Sequence, residues 1–263
     1  MTSNFIVEHS GKVATVTFNR PDRLNAMTDE GWAELAAILD RLAGLDDTTV
    51  VVLTGAGRGF CAGGDLVATA GEESVVKTFD ATVRDLRSWS SAADRLRSMN
   101  KVTIAAVNGA AAGAGLSLAC AADIRVASES AVFRTAFLSA GLSGDFGGAW
   151  NLSRIVGEAR AREMYLLNEK VSAPAAAEIG LVSKVYNPEV FVDSVRALAQ
   201  ELSGRAPLAL RAIKENFVDA ARLGLAEYMD REIARHVALS RTADASEAAA
   251  AFTEKRDAIF VGK

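Results

Sequence analysis

The sequence predicts an α/β fold that is followed by an all-helical C-terminal region. In the first half of the chain, short β-branched runs alternate with segments of helical periodicity, which is typical of a largely parallel sheet with right-handed crossovers. From residue 187 onward, four helical patterns follow one another without strands between them, and the change of character falls near Ala206 and Pro207. We therefore predict a core over residues 1–205 and a helical region over residues 206–263.

Composition narrows the possible functions. The chain has 263 residues, of which 50% are hydrophobic, and its formal net charge is −4. An apolar share of this size supports a packed core and excludes a disordered chain, while slight acidity argues against nucleic acid as a partner. The two cysteines and two histidines exclude a cysteine zinc site and a histidine-rich metal centre, and a Ser-His-Asp triad would need His9 or His236.

The N-terminal elements can be predicted in order. Residues 5–9 and 12–18 are β-branched runs separated by a Ser-Gly pair, which predicts a hairpin. Apolar residues at helical spacing predict a helix between residues 25 and 45, with Thr28 as its N-cap and Gly44 at its end.

Three further strands and a long polar helix complete the α/β part. Residues 49–54, 102–107 and 123–127 predict the strands, the first two of them buried on both faces, and residues 74–100 predict the helix. The uncharged stretch 102–122 is long enough to span a membrane, but alanine and glycine contribute little to insertion, so we interpret it as a buried strand, a turn and a helix. Since the first residues lack the pattern of a targeting segment, we expect a cytoplasmic protein without a membrane partner.

Two glycine-rich loops, residues 55–65 and 108–115, each follow a buried strand and lead toward a helix. Glycines let the backbone approach a ligand closely and point N–H groups at it, so two such loops can supply two amides to one oxygen, which is an oxyanion hole. A dinucleotide site fits less well, because the first loop lies too far before its helix and does not follow the first strand. Each tyrosine is also followed four residues later by Glu or Val rather than by the Lys of a short-chain dehydrogenase.

Several motifs occur in an order and spacing that match one family. They are NRP at 19–21 with LNA at 24–26, GFCAGGD at 59–65, AVNGAAAGAG at 106–115 leading to ADI at 122–124, and FTEKR at 252–256. Along essentially its whole length, the chain resembles the enoyl-CoA hydratase/isomerase (crotonase) superfamily.

This resemblance implies a ClpP-like spiral of ββα units, a C-terminal region that mediates trimerisation, and a homotrimer or a hexamer made of two trimers. It implies an acyl-CoA thioester as substrate, with coenzyme A as part of the substrate and no separate cofactor or metal. The thioester carbonyl oxygen would accept hydrogen bonds from the amides of Gly64 and Ala114, which would stabilise an enolate-like intermediate.

The resemblance also implies the residues that contact the substrate. The adenosine end would lie near Arg23, Leu24 and Ala62, with Asp65 and Leu66 at the end of the same loop. Phe252 and Lys255 would reach the coenzyme A of a neighbouring subunit. Asp65 could alternatively cap the helix that follows it.

Two carboxylates of the family's hydratases are missing from this chain. Those enzymes place two glutamates across the acyl chain to activate water and to handle the α-proton. The corresponding positions are Ser117 and Phe137. A serine hydrogen-bonds water but is no base at neutral pH without help, and a phenylalanine only shapes the pocket, so ordinary hydratase chemistry is not favoured.

Asp145 is the nearby carboxylate that remains. It could cap a helix over residues 147–156. The resemblance gives a second interpretation, because isomerases of the family, including ring-epoxide isomerases of phenylacetate breakdown, carry an aspartate in this loop. Burial beside Phe137, Phe146 and Trp150 would raise its pKa toward a value useful in proton transfer.

Three hypotheses follow for the function. The first is an isomerase acting on an unsaturated or epoxidised acyl-CoA, with Asp145 as the proton shuttle. The second is a hydratase with an unusual site that uses Asp145 or a water bound to Ser117. The third is a catalytically weak member of the family that binds CoA thioesters. Nucleophilic dehalogenation is disfavoured because neither histidine matches the required position, and we interpret Cys61 as a packing residue.

Overall fold

The strands form two sheets in the part of the chain that a computed structural model describes, which is residues 3–65 and 77–263. Their bounds are β1 Phe5–Ser10, β2 Val13–Phe18, β3 Val50–Gly55, β4 Gly59–Cys61, β5 Val102–Val107, β6 Ala110–Ala112, β7 Ile124–Ser128, β8 Val132–Arg134, β9 Val171–Ser172 and β10 Lys184–Tyr186.

Within those same ranges, α-helices connect and cover the strands. Their bounds are α1 Asp29–Ala43, α2 Phe79–Ser98, α3 Ala114–Ala121, α4 Gly148–Val156, α5 Glu158–Leu167, α6 Ala173–Glu178, α7 Phe191–Ser203, α8 Pro207–Ala220, α9 Leu225–Leu239 and α10 Ala243–Glu254. Short 3-10 helices form at Pro21–Arg23 and Phe137–Ala140. None of the described helices has the length and apolar character needed to cross a bilayer.

The two sheets alternate along the chain. The larger has the order β1-β2-β3-β5-β7-β10, in which only the β1–β2 hairpin is antiparallel, and the smaller has the order β4-β6-β8-β9. In the units β5-β6-α3 and β7-β8-α4, the first strand joins the large sheet, the second joins the small sheet, and a helix follows. This winding confirms the predicted α/β spiral of ββα units.

The first helix begins later than the apolar spacing alone suggests. Thr28 is the N-cap and its side chain accepts a hydrogen bond from the Gly31 amide, while Gly44 ends the helix, as predicted. Asn25 has a positive φ of 59°, and Met27 forms a parallel bridge with Gly64. The residues before Thr28 therefore position a loop instead of extending the helix.

The stretch 102–122 contains two strands rather than one. The predicted buried strand and helix are present as β5 and α3, but β6 lies between them where a turn was expected. Three alanines carry no β-branched signal, so the strand arises from its pairing with β4 and β8 rather than from propensity.

The four C-terminal helices form as predicted, and one buried lysine joins them to the sheet. The side chain of Lys214, on α8, is 7% exposed, and its Nζ lies 2.8 Å from Asp123 Oδ2. Nζ also donates to the carbonyl oxygens of Leu96 and Lys101, at 2.6 Å and 2.8 Å. Desolvation lowers the Lys214 pKa, which Asp123 partly offsets. The ammonium group thus bridges α8, the end of α2 and the start of β5.

We expect Lys214→Met to destabilise the protein by about 3–5 kcal/mol, because Asp123 and two carbonyl groups lose their shared donor. Arg211→Met is the matched control. Arg211 lies on the same helix, but its ion pair with Glu215 is exposed, so the loss should be about 0–1 kcal/mol. The measurement is the free energy of unfolding in denaturant. Equal losses in the two variants would contradict the structural role of Lys214.

Candidate active site

The two glycine-rich loops meet where β4 pairs with β6. The pairing is parallel, and Cys61 lies opposite Ala111. A Cβ on Gly115 would overlap the carbonyl oxygen of Cys61, so the close approach of helix α3 to the first loop requires glycine there. Gly63 has a φ of +94°, and a Cβ built on it would lie 3.3 Å from the Ala114 amide nitrogen. Both loops therefore bring backbone, rather than side chains, to the contact.

The amides of Gly64 and Ala114 remain available for a ligand. Neither N–H donates to an acceptor among residues 3–65 and 77–263. The Met27 amide donates to Gly63 O, and the Asp65 amide donates to Met27 O, at 2.9 Å each, so the backbone is fixed on both sides of Gly64. Ala114 begins α3, where an N–H has no intrahelical acceptor and the helix dipole favours negative charge. The pair can bind an oxygen that develops negative charge.

Two asparagines brace the first loop. The buried Asn25 donates from Nδ2 to Ala56 O and Gly59 O, at 3.0 Å and 2.7 Å, and accepts from the Arg20 amide. Asn108 accepts from the Gly55 amide and also donates to Gly59 O, at 3.1 Å. In the sequence both residues stand only as parts of motifs. An asparagine beside a glycine-rich turn is the signal that could have predicted a bracing role.

Asp65 has a protein partner in the structure. Its Oδ2 lies 3.0 Å from Arg20 Nη2, and the Asp65 side chain is 6% exposed. Arg20 also donates to the Ala26 carbonyl, so the ion pair joins the end of the first loop to the segment before α1. Leu66, and the helix that Asp65 could cap, lie outside the described residues.

The loop that carries Asp145 is held in an unusual conformation. Gly144, Phe146 and Gly147 all have positive φ angles, of 130°, 47° and 66°. Such a value is costly for a phenylalanine and persists only where the surroundings impose it. Here the buried Phe146 ring packs on Trp32, with ring centroids 4.8 Å apart. The capping prediction for Asp145 is wrong, because Gly147 is the N-cap of α4 and the Asp145 side chain makes no capping hydrogen bond.

The Asp145 carboxyl group lies in a desolvated position. Its Oδ1 is buried and has no hydrogen-bond partner within the described chain. Burial raises the pKa of Asp145 from 3.8 to about 6. A carboxyl group with a pKa close to neutrality can accept and return a proton, whereas a solvated aspartate is too weak a base. The negative charge of Asp145 also acts on Cys61 and Tyr165, which places it among the elements of the site.

The positions of the two missing glutamates are filled compactly. Ser117 is buried on α3 and donates to the Gly113 carbonyl oxygen at 3.3 Å. Phe137 is buried and stacks on Tyr165, with ring centroids 6.1 Å apart and an interplanar angle of 5°. The gap bordered by these three residues and Gly148 is too small to hold a water molecule. An attacking water therefore has no space between these side chains.

The structure brings together three of the predicted coenzyme A contacts. The Ala62 amide donates to the Leu24 carbonyl oxygen at 3.0 Å, and Arg23 is exposed at the end of the adjoining 3-10 helix. Phe252 is 88% exposed near the end of α10, and the exposed Lys255 follows that helix. On this chain these last two residues belong to a different region from the two loops.

The remaining nucleophiles and bases are unsuited to chemistry at this site. Cys61 and Cys120 are buried, and burial raises the pKa of each thiol to about 12, which keeps both protonated. His9 and His236 are exposed on β1 and α9. Among the described residues, no cluster of His, Cys, Asp and Glu could hold a metal ion.

Comparisons with known proteins agree with this geometry. The 1,2-epoxyphenylacetyl-CoA isomerase of Escherichia coli K12 is 39% identical, with 98% of this chain and 99% of that protein covered. The 2,3-dehydroadipyl-CoA hydratase of the same organism is 34% identical, with 99% and 100% covered. The crystal structure of an enoyl-CoA hydratase from Polaromonas sp. JS666 superposes with a TM-score of 0.91 at 32% identity, covering 98% and 99%. A family model described as enoyl-CoA hydratase/isomerase matches residues 8–263. The chain therefore belongs to the enoyl-CoA hydratase/isomerase family, whose members process acyl-CoA thioesters.

Proposed function

We propose that this protein is an isomerase that catalyses double-bond or ring isomerisation of an unsaturated or epoxidised acyl-CoA. The observation that carries the proposal is the Asp145 carboxyl group, whose buried Oδ1 has no hydrogen-bond partner within the described residues. Ser117 and Phe137 stand where the resemblance expects the hydratase glutamates. One base is enough for an isomerisation, because the proton that it removes from one carbon is returned to another.

The steps can be written for a 3-enoyl thioester. The thioester oxygen accepts hydrogen bonds from the Gly64 and Ala114 amides, and Asp145 takes a proton from the α-carbon. The C–H electron pair enters a dienolate whose negative charge rests mainly on that oxygen. Asp145 then returns the proton to the γ-carbon, which gives the conjugated 2-enoyl thioester and restores the carboxylate. No water and no redox partner enters the balance.

The substrate contacts follow the same assignment. The adenosine end lies by Arg23, Leu24 and Ala62. Asp65 and Leu66, which follow Gly64 in the sequence, also contact the substrate. Ser117 and Phe137 border the acyl group. Phe252 and Lys255 reach the coenzyme A of a neighbouring subunit.

The assembly that this requires is a homotrimer, or a hexamer of two trimers, built through the helical region 206–263 on a core formed by residues 1–205. Exposed apolar side chains on α9, namely Leu225, Met229, Ile233 and Val237, support such an interface. The protein works in the cytoplasm, and coenzyme A enters only as part of the substrate.

A hydratase is the second candidate. It is favoured by the 34% identical relative that is a 2,3-dehydroadipyl-CoA hydratase. In that hydratase Asp145 would activate the attacking water, or a water bound to Ser117 would be the nucleophile. The filled space beside Ser117 and the pKa of about 6 at Asp145 favour the isomerase instead. A third candidate, a weak family member that binds CoA thioesters without turnover, leaves the desolvated carboxylate without a role.

We expect Asp145→Asn to lower kcat for isomerisation by roughly 10²- to 10⁴-fold while binding of the CoA thioester persists, because the amide keeps the shape but cannot take a proton. The assay follows the absorbance of the conjugated thioester. Gain of absorbance from a 3-enoyl-CoA reports isomerisation, loss from a 2-enoyl-CoA reports hydration, and no change with either supports binding alone.

The matched control for that variant is Asp193→Asn. Asp193 is exposed on α7 and pairs with Arg196, so its replacement should leave kcat unchanged. Full activity in Asp145→Asn would overturn the proton-shuttle assignment.

The rate should depend on pH through the same carboxylate. Because the base must be ionised and its pKa is about 6, kcat/KM should rise with pH, reach half its maximum near pH 6, and then level off. Steady-state kinetics between pH 5 and pH 8 measure this. A flat profile down to pH 5 would show that another group, or none, limits the reaction.

The raised pKa also predicts a cost in stability. The pKa of Asp145 in the folded protein, about 6, lies above the ordinary value of 3.8 for a free aspartate, so the stability of the native protein falls as pH rises from about 4 to 6 and then stays constant. Asp145→Asn does not show this loss of stability, because asparagine does not titrate. Its unfolding free energy should match that of the unmodified protein near pH 4 and exceed it by about 1–2 kcal/mol above pH 6, after allowance for partial exposure. A difference that does not change with pH would contradict desolvation of the carboxylate.

A further inference from the structure

We propose that Ser117 and Tyr165 are positioning residues that hold the Asp145 loop in register with the Ala114 amide. The inference rests on the proposed function, since it assigns a role to two hydroxyl groups behind the two parts of that site. Neither side chain needs to touch the substrate to perform it.

Ser117 acts on the peptide group that contains the proposed oxyanion donor. Its backbone amide and its hydroxyl both donate to the Gly113 carbonyl oxygen, at 3.0 Å and 3.3 Å. That carbonyl and the Ala114 N–H belong to one planar peptide unit. Two hydrogen bonds on the oxygen therefore fix the direction of the N–H and polarise it toward a ligand.

Tyr165 connects Ser117 to the loop of the carboxylate. The phenol oxygen of Tyr165 lies beside the Ser117 hydroxyl, since a Cβ added at Gly148 would be 2.2 Å from the serine oxygen and 2.5 Å from the phenol oxygen. The phenol ring also lies against Gly144, where an added Cβ would be 3.5 Å from Tyr165 Cε1. One residue thus contacts both the oxyanion helix and the residue that precedes Asp145.

Gly148, on the other side of Asp145 in the chain, contacts both Ser117 and Tyr165. A Cβ at this position would overlap both the Ser117 hydroxyl and the Tyr165 phenol oxygen. The backbone of α4 at its first residue therefore rests directly on the two hydroxyl groups. With Tyr165 at Gly144 and both hydroxyls at Gly148, the loop between them is held at its two ends.

The geometry explains why a small hydroxyl residue suits position 117. A glutamate would extend into the space that Gly148 and Tyr165 now fill, and an alanine would leave the phenol without its partner and the Gly113 carbonyl with one donor fewer. The pair converts a position that serves water activation in hydratases into a support for proton transfer.

The test combines kinetics with a spectroscopic measurement on Ser117→Ala, Tyr165→Phe and the double variant. We expect each single variant to lower kcat about tenfold with KM changed less than about twofold. Since both hydroxyls support the same contact at Gly148, the double variant should lose little more than either single one.

The spectroscopic probe is cinnamoyl-CoA, whose conjugated carbonyl absorbs in the near ultraviolet and shifts to longer wavelength when its oxygen is polarised. The unmodified protein and Asp145→Asn should both give the full red shift, because the amides are intact in both. Ser117→Ala should reduce the shift clearly, and Tyr165→Phe should reduce it in part. A purely structural role would change the stability of the variants but not this signature.

Two control variants match the substitutions. Ser98 makes the same hydroxyl bond to the carbonyl four residues earlier, at 2.7 Å from Asp94 O, on exposed α2. Tyr186 is a partly buried tyrosine on β10. Ser98→Ala and Tyr186→Phe should leave kcat and the red shift unchanged.

The outcomes separate the two proposals. If the unmodified protein fails to bind or to red-shift the probe, the oxyanion assignment is wrong and the positioning role falls with it. If the red shift is present but Ser117→Ala and Tyr165→Phe keep both the shift and kcat, the positioning role alone is wrong. Strictly additive losses of kcat in the double variant would likewise contradict a shared support at Gly148.

Discussion

The close approach of two backbone loops is the constraint on which the rest of the site depends. Helix α3 can lie against the first loop only because residue 115 has no Cβ to strike the Cys61 carbonyl. The parallel pairing of β4 with β6 sets the direction of both loops. Hydrogen bonds from the side chains of Asn25 and Asn108 to Gly59 O hold the first loop in its conformation. What reaches the ligand is then a pair of amides whose geometry is set by the sheet rather than by flexible side chains.

The position of the Asp145 carboxylate, in contrast, is set by side chains that pack around its loop. Its loop has no regular structure and carries positive φ angles at three positions, so its conformation depends on packing from outside: Phe146 against Trp32 on one side and Tyr165 at both ends. Removing water from Asp145 destabilises the native state at neutral pH, and the strained Phe146 adds to that. Such costs persist in proteins where the function needs the group in that state.

Much of the fold could be predicted from the sequence because its signals are local. Thr28 and Gly44 bound α1, the hairpin follows its Ser-Gly pair, and the late helices follow their apolar spacing. The features that were missed arise from tertiary contacts. Strand β6 exists through its neighbours, and Asp145 does not cap α4 because Phe146 and Gly147 turn the chain between them. The capping preference of aspartate is a local signal, and it does not report this turn, because the turn depends on the packing of Trp32, on α1, against Phe146.

The residues at positions 117 and 137 also matter for the electrostatics of Asp145. Two carboxylates in one dry pocket repel each other, and their protons come off in two coupled steps. With Ser117 and Phe137 in place of the glutamates, no acidic side chain within residues 3–65 and 77–263 contributes to the pKa of Asp145, which desolvation raises to about 6. In the proposed reaction, Asp145 is then the group that carries the transferred proton. In the isomerase that we propose, the same replacements remove the groups that would bind water, which favours return of the proton to the substrate over hydration.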